Sequence, residues 1–262
     1  MKHISKFTFS LTLVLLSFLS NAQEKTSKEN INIEKGIAKD SIPPKKERYG
    51  LRVGVDFFKL SRSFFEKEYK AIEFVGDYRI TRRHFLAAEI GNENKTVNED
   101  QLNFTTKGTF LKVGFDYNSF VNWGTMENVI SIGLRYGASS FSQTLNSYYV
   151  YNTNPYFGET PVVLSGSKYD GLSAQWIEVV AGMKAEVLKN IFVGFSFRLN
   201  RLLSQKRPDN FENLYIPGFN RTYNGDFGAG FNYTVSYFIP LYKSTVKTKE
   251  SKKKPNTKEK KK

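Results

Sequence analysis

Cysteine is absent from this chain. That one absence removes disulfide staples, thiol nucleophiles, cysteine-held metals and lipid attachment through cysteine, and it remains compatible with export. Histidine is nearly as scarce, with only His3 and His84 to serve acid–base or metal chemistry. No internal repeat is visible, which argues against a solenoid or a propeller. Zinc-finger spacing and a glycine-lysine phosphate loop are missing as well. What the chain does have is 262 residues, enough for one barrel-sized domain, with 15 Tyr and 23 Phe.

The net charge of +14 resembles a nucleic-acid footprint until it is divided along the chain. Residues 243–262 hold ten Lys against two Glu, and Lys2 and Lys6 add two more charges at the other end. Removing +8 and +2 leaves a body of only +4. So neutral a body offers no phosphate-binding patch, and nucleic acid is not expected as a partner.

Lys2 and Lys6 precede an apolar run from Phe7 to Leu19, and Ser20-Asn21-Ala22 closes it with small or polar residues. This is the order of a secretory signal peptide, residues 1–22, with cleavage expected between Ala22 and Gln23. As a membrane anchor the run would fall short of the roughly 20 residues that a spanning helix needs. Residues 23–47 are rich in Lys, Glu, Asn and Ser and carry no aromatic residue. They are expected to form a disordered periplasmic linker, and residues 243–262 a lysine-rich disordered tail.

From Tyr49 to Leu241 the dominant period is two, the signature of strands with different surroundings on their two faces. Tyr49, Leu51, Val53, Val55 and Phe57 alternate with Gly50, Arg52, Gly54, Asp56 and Phe58. Seven further segments begin near Ile72, Leu86, Phe110, Ile130, Trp176, Ile191 and Phe227. Connections at 81–84, 118–127 and 188–190 lie on one side, and two of the three are very short. Those on the other side fall at 61–67, 92–103, about 142–172 and about 203–224, and two of these are long. A soluble sandwich also alternates, but short turns on one side, longer loops on the other and an even strand count describe a transmembrane barrel. The expected fold is therefore all-β: an antiparallel up-and-down transmembrane β-barrel of eight strands over residues 48–242. Tyr49, Tyr78, Tyr117, Tyr237 and Tyr242 fall near the short-turn ends of their segments, where an aromatic girdle would meet the membrane interface.

The segment Tyr49-Gly50-Leu51-Arg52-Val53-Gly54-Val55-Asp56, the segment Glu73-Phe74-Val75-Gly76-Asp77-Tyr78-Arg79 and the ending from Tyr233 to Lys243 resemble small outer-membrane proteins of the Bacteroidetes. Those proteins are grouped as a domain of unknown function and have the look of OmpA-like or OmpX-like eight-stranded barrels. Together with the signal peptide and the loop lengths, which put the short turns on the periplasmic side, the resemblance leads to an expected place in the cell outer membrane with both termini periplasmic, and outer-membrane lipid as a partner. It carries no assigned activity, and no cofactor or metal is expected.

The positions facing away from the apolar stripes include Asp56, Glu73, Asp77, Glu89, Asp116, Glu178 and Glu186. Against these acids stand Arg52, Arg79, Lys112, Arg135, Lys184 and Arg198. An eight-stranded bore is about filled by its own side chains, so these thirteen residues are expected to form an interior ion-pair network that plugs it. Interior glycines, Gly114 and Gly133 among them, would make room for the long bases. His84 falls in a predicted periplasmic turn, where a lone histidine is more often solvated than catalytic, so the chain is expected not to be an enzyme. Aromatic residues of the long loops, among them Tyr148, Tyr149, Tyr215 and Phe219, could form a recognition surface or pack as a hairpin beyond the membrane. The expected task is envelope integrity or surface interaction by a monomer. Alternatives are a channel or transport component for small solutes, or a water-soluble barrel holding an apolar ligand. The tail, with its +8 charge, could bind a periplasmic polyanion or another envelope partner.

Overall fold

The computed structural model describes residues 46–120, 127–149, 156, 163–209, 212–221 and 225–245. The expected signal peptide and nearly all of the expected linker and tail lie outside them. Eight strands close antiparallel in chain order, β1 (Lys46–Asp56), β2 (Tyr69–Arg79), β3 (His84–Glu99), β4 (Leu102–Asn118), β5 (Val129–Tyr148), β6 (Val163–Leu188), β7 (Ile191–Lys206) and β8 (Phe227–Thr245). The seam is the β1–β8 ladder, which starts at Lys46 opposite Thr245. The ladder thus runs beyond the expected barrel limits at both ends, because main-chain pairing continues after the apolar alternation has stopped. It slips by one residue between Tyr49 and Gly50, opposite Pro240, whose missing N–H suits it to such a bulge.

Phe57 and Phe58, expected to end the first strand, instead open helix α1 (Phe57–Phe65). Asp56 caps that helix by accepting hydrogen bonds from the Phe58 and Lys59 amides at 2.9 and 3.1 Å. The helix points Lys59 into the barrel while Phe57 and Phe64 remain exposed.

The tight turns at 80–83 and 189–190 define one end of the barrel, here the turn end, which also holds both strand termini. At the other, loop end, β3 and β4 form a hairpin turning at Asp100 and Gln101, and β5 pairs with β6 up to Tyr148 opposite Val163. Much of what the sequence presents as long loops is therefore paired strand, and of the two fates open to those aromatics the hairpin holds for Tyr148.

The two faces of the sheet exchange character along the strands. Near the turn end, the outward positions of β5 are Ile130, Ile132, Leu134 and Tyr136, and those of β4 are Leu111, Val113, Phe115 and Tyr117. Further along the same strands the outward positions become Ser140, Ser142 and Thr144, and Asn103, Thr105, Lys107 and Thr109. The inward positions change in the opposite sense, from Asp116, Lys112 and Arg135 to Phe110, Phe104, Phe141 and Leu145. One barrel thus has an apolar exterior around a charged interior, joined to an extension with a mostly polar exterior around an interior rich in apolar side chains. Water suits the outside of the extension, whereas the continuous apolar band below it far exceeds what a soluble monomer leaves exposed.

Candidate functional site: the closed interior

At the centre of the bore, Arg198 on β7 reaches across to β3 and β6. Its guanidinium donates to Glu89 at 2.7 and 3.0 Å and to Glu178 at 3.0 Å. Lys112 stands 3.1 Å from Glu178 and 3.7 Å from Glu89. Arg135 donates to Asp116 at 2.9 Å and lies 3.5 Å from Glu89. All six side chains are buried. Room for Arg135 comes from glycine: a Cβ on Gly133 would lie 1.9 Å from the Asp116 carboxylate, and one on Gly114 would lie 2.9 Å from the Arg135 side chain.

Toward the turn end, Asp77 accepts from Arg52 at 2.7 Å and from Lys184 at 2.6 Å. The Arg52 guanidinium lies between the rings of Phe85 and Phe192, 5.0 and 5.2 Å from their centroids. Arg79 and Glu186, expected in the central network, belong instead to a cluster at the mouth. Arg79 pairs with Glu47 at 3.1 Å, and Arg48 holds Glu186 and Glu127 at 3.0 Å each. Phe238 turns inward there and packs edge-on to Phe192. Asp56 makes no ion pair among the described residues; besides capping α1 it accepts a hydrogen bond from Asn232.

Toward the loop end, Lys59 pairs with Glu73 at 2.6 Å and with Glu93. Neither Lys59 nor Glu93 was among the expected network residues. Lys59 sits in a helix, out of the strand period, and Glu93 lies in a stretch that reads as polar loop. Their signal was a helix-capping Asp56 ahead of an apolar-basic run, and the alternation from Leu86 to Ile90, which continued through Asn92 puts Glu93 on the same face as Glu89.

A plug closes the loop end. Ile216-Pro217-Gly218-Phe219 forms a type II turn, with Pro preset at its second position and Gly218 at φ +81 in its third. Glu93 receives the Tyr215 hydroxyl at 2.7 Å and the Gly218 amide at 3.2 Å. Burial, and then the Glu93 charge, push the Tyr215 hydroxyl well above the ordinary tyrosine range. Phe219 and Trp176, both 0% exposed, meet edge to face at 5.8 Å within a cluster that includes Phe110, Phe141, Leu172 and Leu202. Trp176 also donates to Glu178 at 2.6 Å, joining the apolar plug to the charged layer. Tyr215 and Phe219 are therefore core residues and not part of an exposed recognition surface.

Between the plug and the mouth an interior cavity of about 50 Å³ is bounded by Arg52, Asp77, Arg135 and Arg198 among others. That is space for a few waters. His84 opens β3 on the outside of the turn end, hydrogen-bonded to Thr81 at 2.8 Å and edge-on to Tyr117.

A family model described as a domain of unknown function (DUF6048) matches residues 4–244. The chain belongs to that family. No curated protein matches it. Among solved structures, Ail, the attachment invasion locus protein of Yersinia pestis, is similar over 75% of this DUF6048 chain and 99% of its own, at 8% identity and a TM-score of 0.36.

Proposed function

We propose that this protein is an outer-membrane barrel with a closed interior, serving the envelope as a structural or surface element and carrying neither solutes nor a catalytic centre. The observation that carries this reading is the exchange of faces along β3 to β7. A lipid layer explains an apolar exterior that ends along one edge, at Ile90, Leu111, Tyr136 and Ile177, beyond which Asn, Thr, Ser and Gln take over, and at Leu199, which Arg201 follows on the same face. The start of β1, the end of β8 and the short turns lie at one end, which supports a periplasmic placement of that end, with the hydrated extension facing outward.

The closed interior argues for structure over transport. Three tiers block the bore: the Phe85, Phe192 and Phe238 layer, the Glu89–Arg198–Glu178 layer and the Phe110–Trp176–Phe219 plug. Every carboxylate of the middle tier is bound to a base, which leaves none available as a proton carrier.

Fractionation with heat-modifiable gel migration, followed by planar-bilayer recording, tests the proposal. The expected results are recovery in the membrane fraction, a shift in migration on boiling, and no discrete conductance steps. Recovery as soluble protein without detergent would overturn the membrane assignment. Reproducible openings from the purified barrel would overturn the closed interior.

A further inference from the structure

The outward face of β2 to β4 departs from the rest of the apolar band. At one level the side chains are Val53, Gly76, Ala88 and Val113, and at the next are Val55, Phe74, Ile90 and Leu111. Gly76 and Ala88 leave a depression between larger neighbours, an open groove of about 550 Å³ lined almost wholly by apolar atoms. A Cβ on Gly76 would come no closer than 3.5 Å to other atoms, so nothing within the barrel requires glycine there.

Above this groove the same face ends in two cations. Lys70 and Lys107 lie outward on either side of Asn94, in one register row, and neither forms an ion pair among the described residues, although the exposed Lys70 ammonium donates to the Ser63 carbonyl at 2.7 Å and would turn from it to meet an anion. They stand two strands apart, about 10 Å at the backbone, close enough for two lysine side chains to converge on one anion. The row above carries one acid, Glu68, beside Thr96 and Thr105.

The spacing between the cations and the groove matches a lipid. Six residues separate Lys70 from Gly76, about 20 Å of strand, which a barrel tilt of about 40° reduces to a depth of about 15 Å. The cations therefore stand two rows above the last fully apolar row, Phe74, Ile90 and Leu111, at headgroup height, and the groove opens one row below it, within reach of the upper part of an acyl chain. We propose that β2 to β4 hold one acylated, phosphate-bearing lipid of the outer leaflet, with its phosphate between Lys70 and Lys107 and an acyl chain in the groove over Gly76 and Ala88.

This proposal rests on the outer-membrane reading, and one set of measurements separates the two. The full barrel would be placed in nanodiscs of phosphatidylcholine doped with lipid A, extracted, and its retained lipid measured by native mass spectrometry. Lipid A is expected to be retained over phosphatidylcholine. Changing Lys70→Gln and Lys107→Gln together should lower retention about thirty-fold, since each surface lysine near an anionic headgroup is worth about a factor of five. Gly76→Leu, which fills the groove from the lipid side, should lower lipid A retention while heat-modifiable migration shows the barrel still folded. Equal retention of both lipids, or retention unchanged in the folded variants, would overturn the lipid site and leave the membrane assignment standing. Wild-type protein that stays soluble and never enters the nanodiscs would overturn both.

Discussion

Replacing Arg198 by Met tests the interior most directly. Its guanidinium makes three hydrogen bonds to two buried carboxylates, Glu89 and Glu178. Each hydrogen bond to a charged group contributes about 1.5 to 3 kcal/mol, but these share one donor and are not additive. Lys112 remains 3.1 Å from Glu178 and 3.7 Å from Glu89, and Arg135 3.5 Å from Glu89, so each acid keeps at least one base. A buried pair that loses one partner typically costs about 3 to 5 kcal/mol, and with this partial compensation we expect the lower end, about 3 kcal/mol. The assay is urea unfolding of the refolded barrel in lipid vesicles, followed by the fraction that retains the folded gel mobility. Adding Glu89→Gln to Arg198→Met should recover part of the loss, because it removes the charge left underpaired. A loss under about 1 kcal/mol for Arg198→Met, with no recovery in the double variant, would refute the view that this arginine holds the middle tier together.

Two further perturbations probe the other layers. Ile132→Arg, on the apolar exterior where Ile132 is 62% exposed, should cost about 2 to 4 kcal/mol in vesicles, whereas Ser140→Arg on the same face of the same strand should cost less than about 1 kcal/mol. Equal effects in that unfolding assay would remove the lipid boundary placed between them. Tyr215→Phe should loosen the plug by about 1.5 to 3 kcal/mol through loss of the hydroxyl donated to Glu93, read as faster tryptic cleavage near Arg207 and Arg221 with the barrel still folded. The pH dependence follows from the raised value of that hydroxyl in the folded state. Below the unfolded tyrosine value of about 10 its stabilisation is fully present, and it is lost as pH rises beyond that. Tyr215→Phe should flatten the corresponding rise in cleavage between pH 9 and 11, a range chosen about that value; an unchanged pH profile would contradict the assignment.

The strand count and the side each segment turns to the interior were legible from the alternation at Leu51 to Val55, Leu111 to Tyr117 and Ile191 to Leu199, because a period of two assigns faces without reference to any partner. Interior charges such as Arg198 and Glu89 could be picked out by the same rule, since a charged residue opposite an apolar stripe has only the bore to occupy. Their pairing could not, as Glu89 and Arg198 lie 109 residues apart and meet only after closure. Lys59 escaped the rule because Asp56 ends the strand and starts a helix, changing the period from 2 to 3.6. Tyr215 and Phe219 escaped it because a Pro-Gly turn in a polar stretch reads as a surface loop until the opening it fills has been built.

The sequence alone determined the local quantities: alternation, turn chemistry at Pro217-Gly218, the near-neutral body and the cysteine-free composition. Each depends on residues close in the chain, where steric and hydration preferences act without long-range information. Tertiary structure alone decided the level along each strand at which the two faces exchange character. Phe110 and Leu111 are both large and apolar, yet one enters the plug and the other faces outward. Only closure of the ring, which fixes an inside and a level along its axis, separates them.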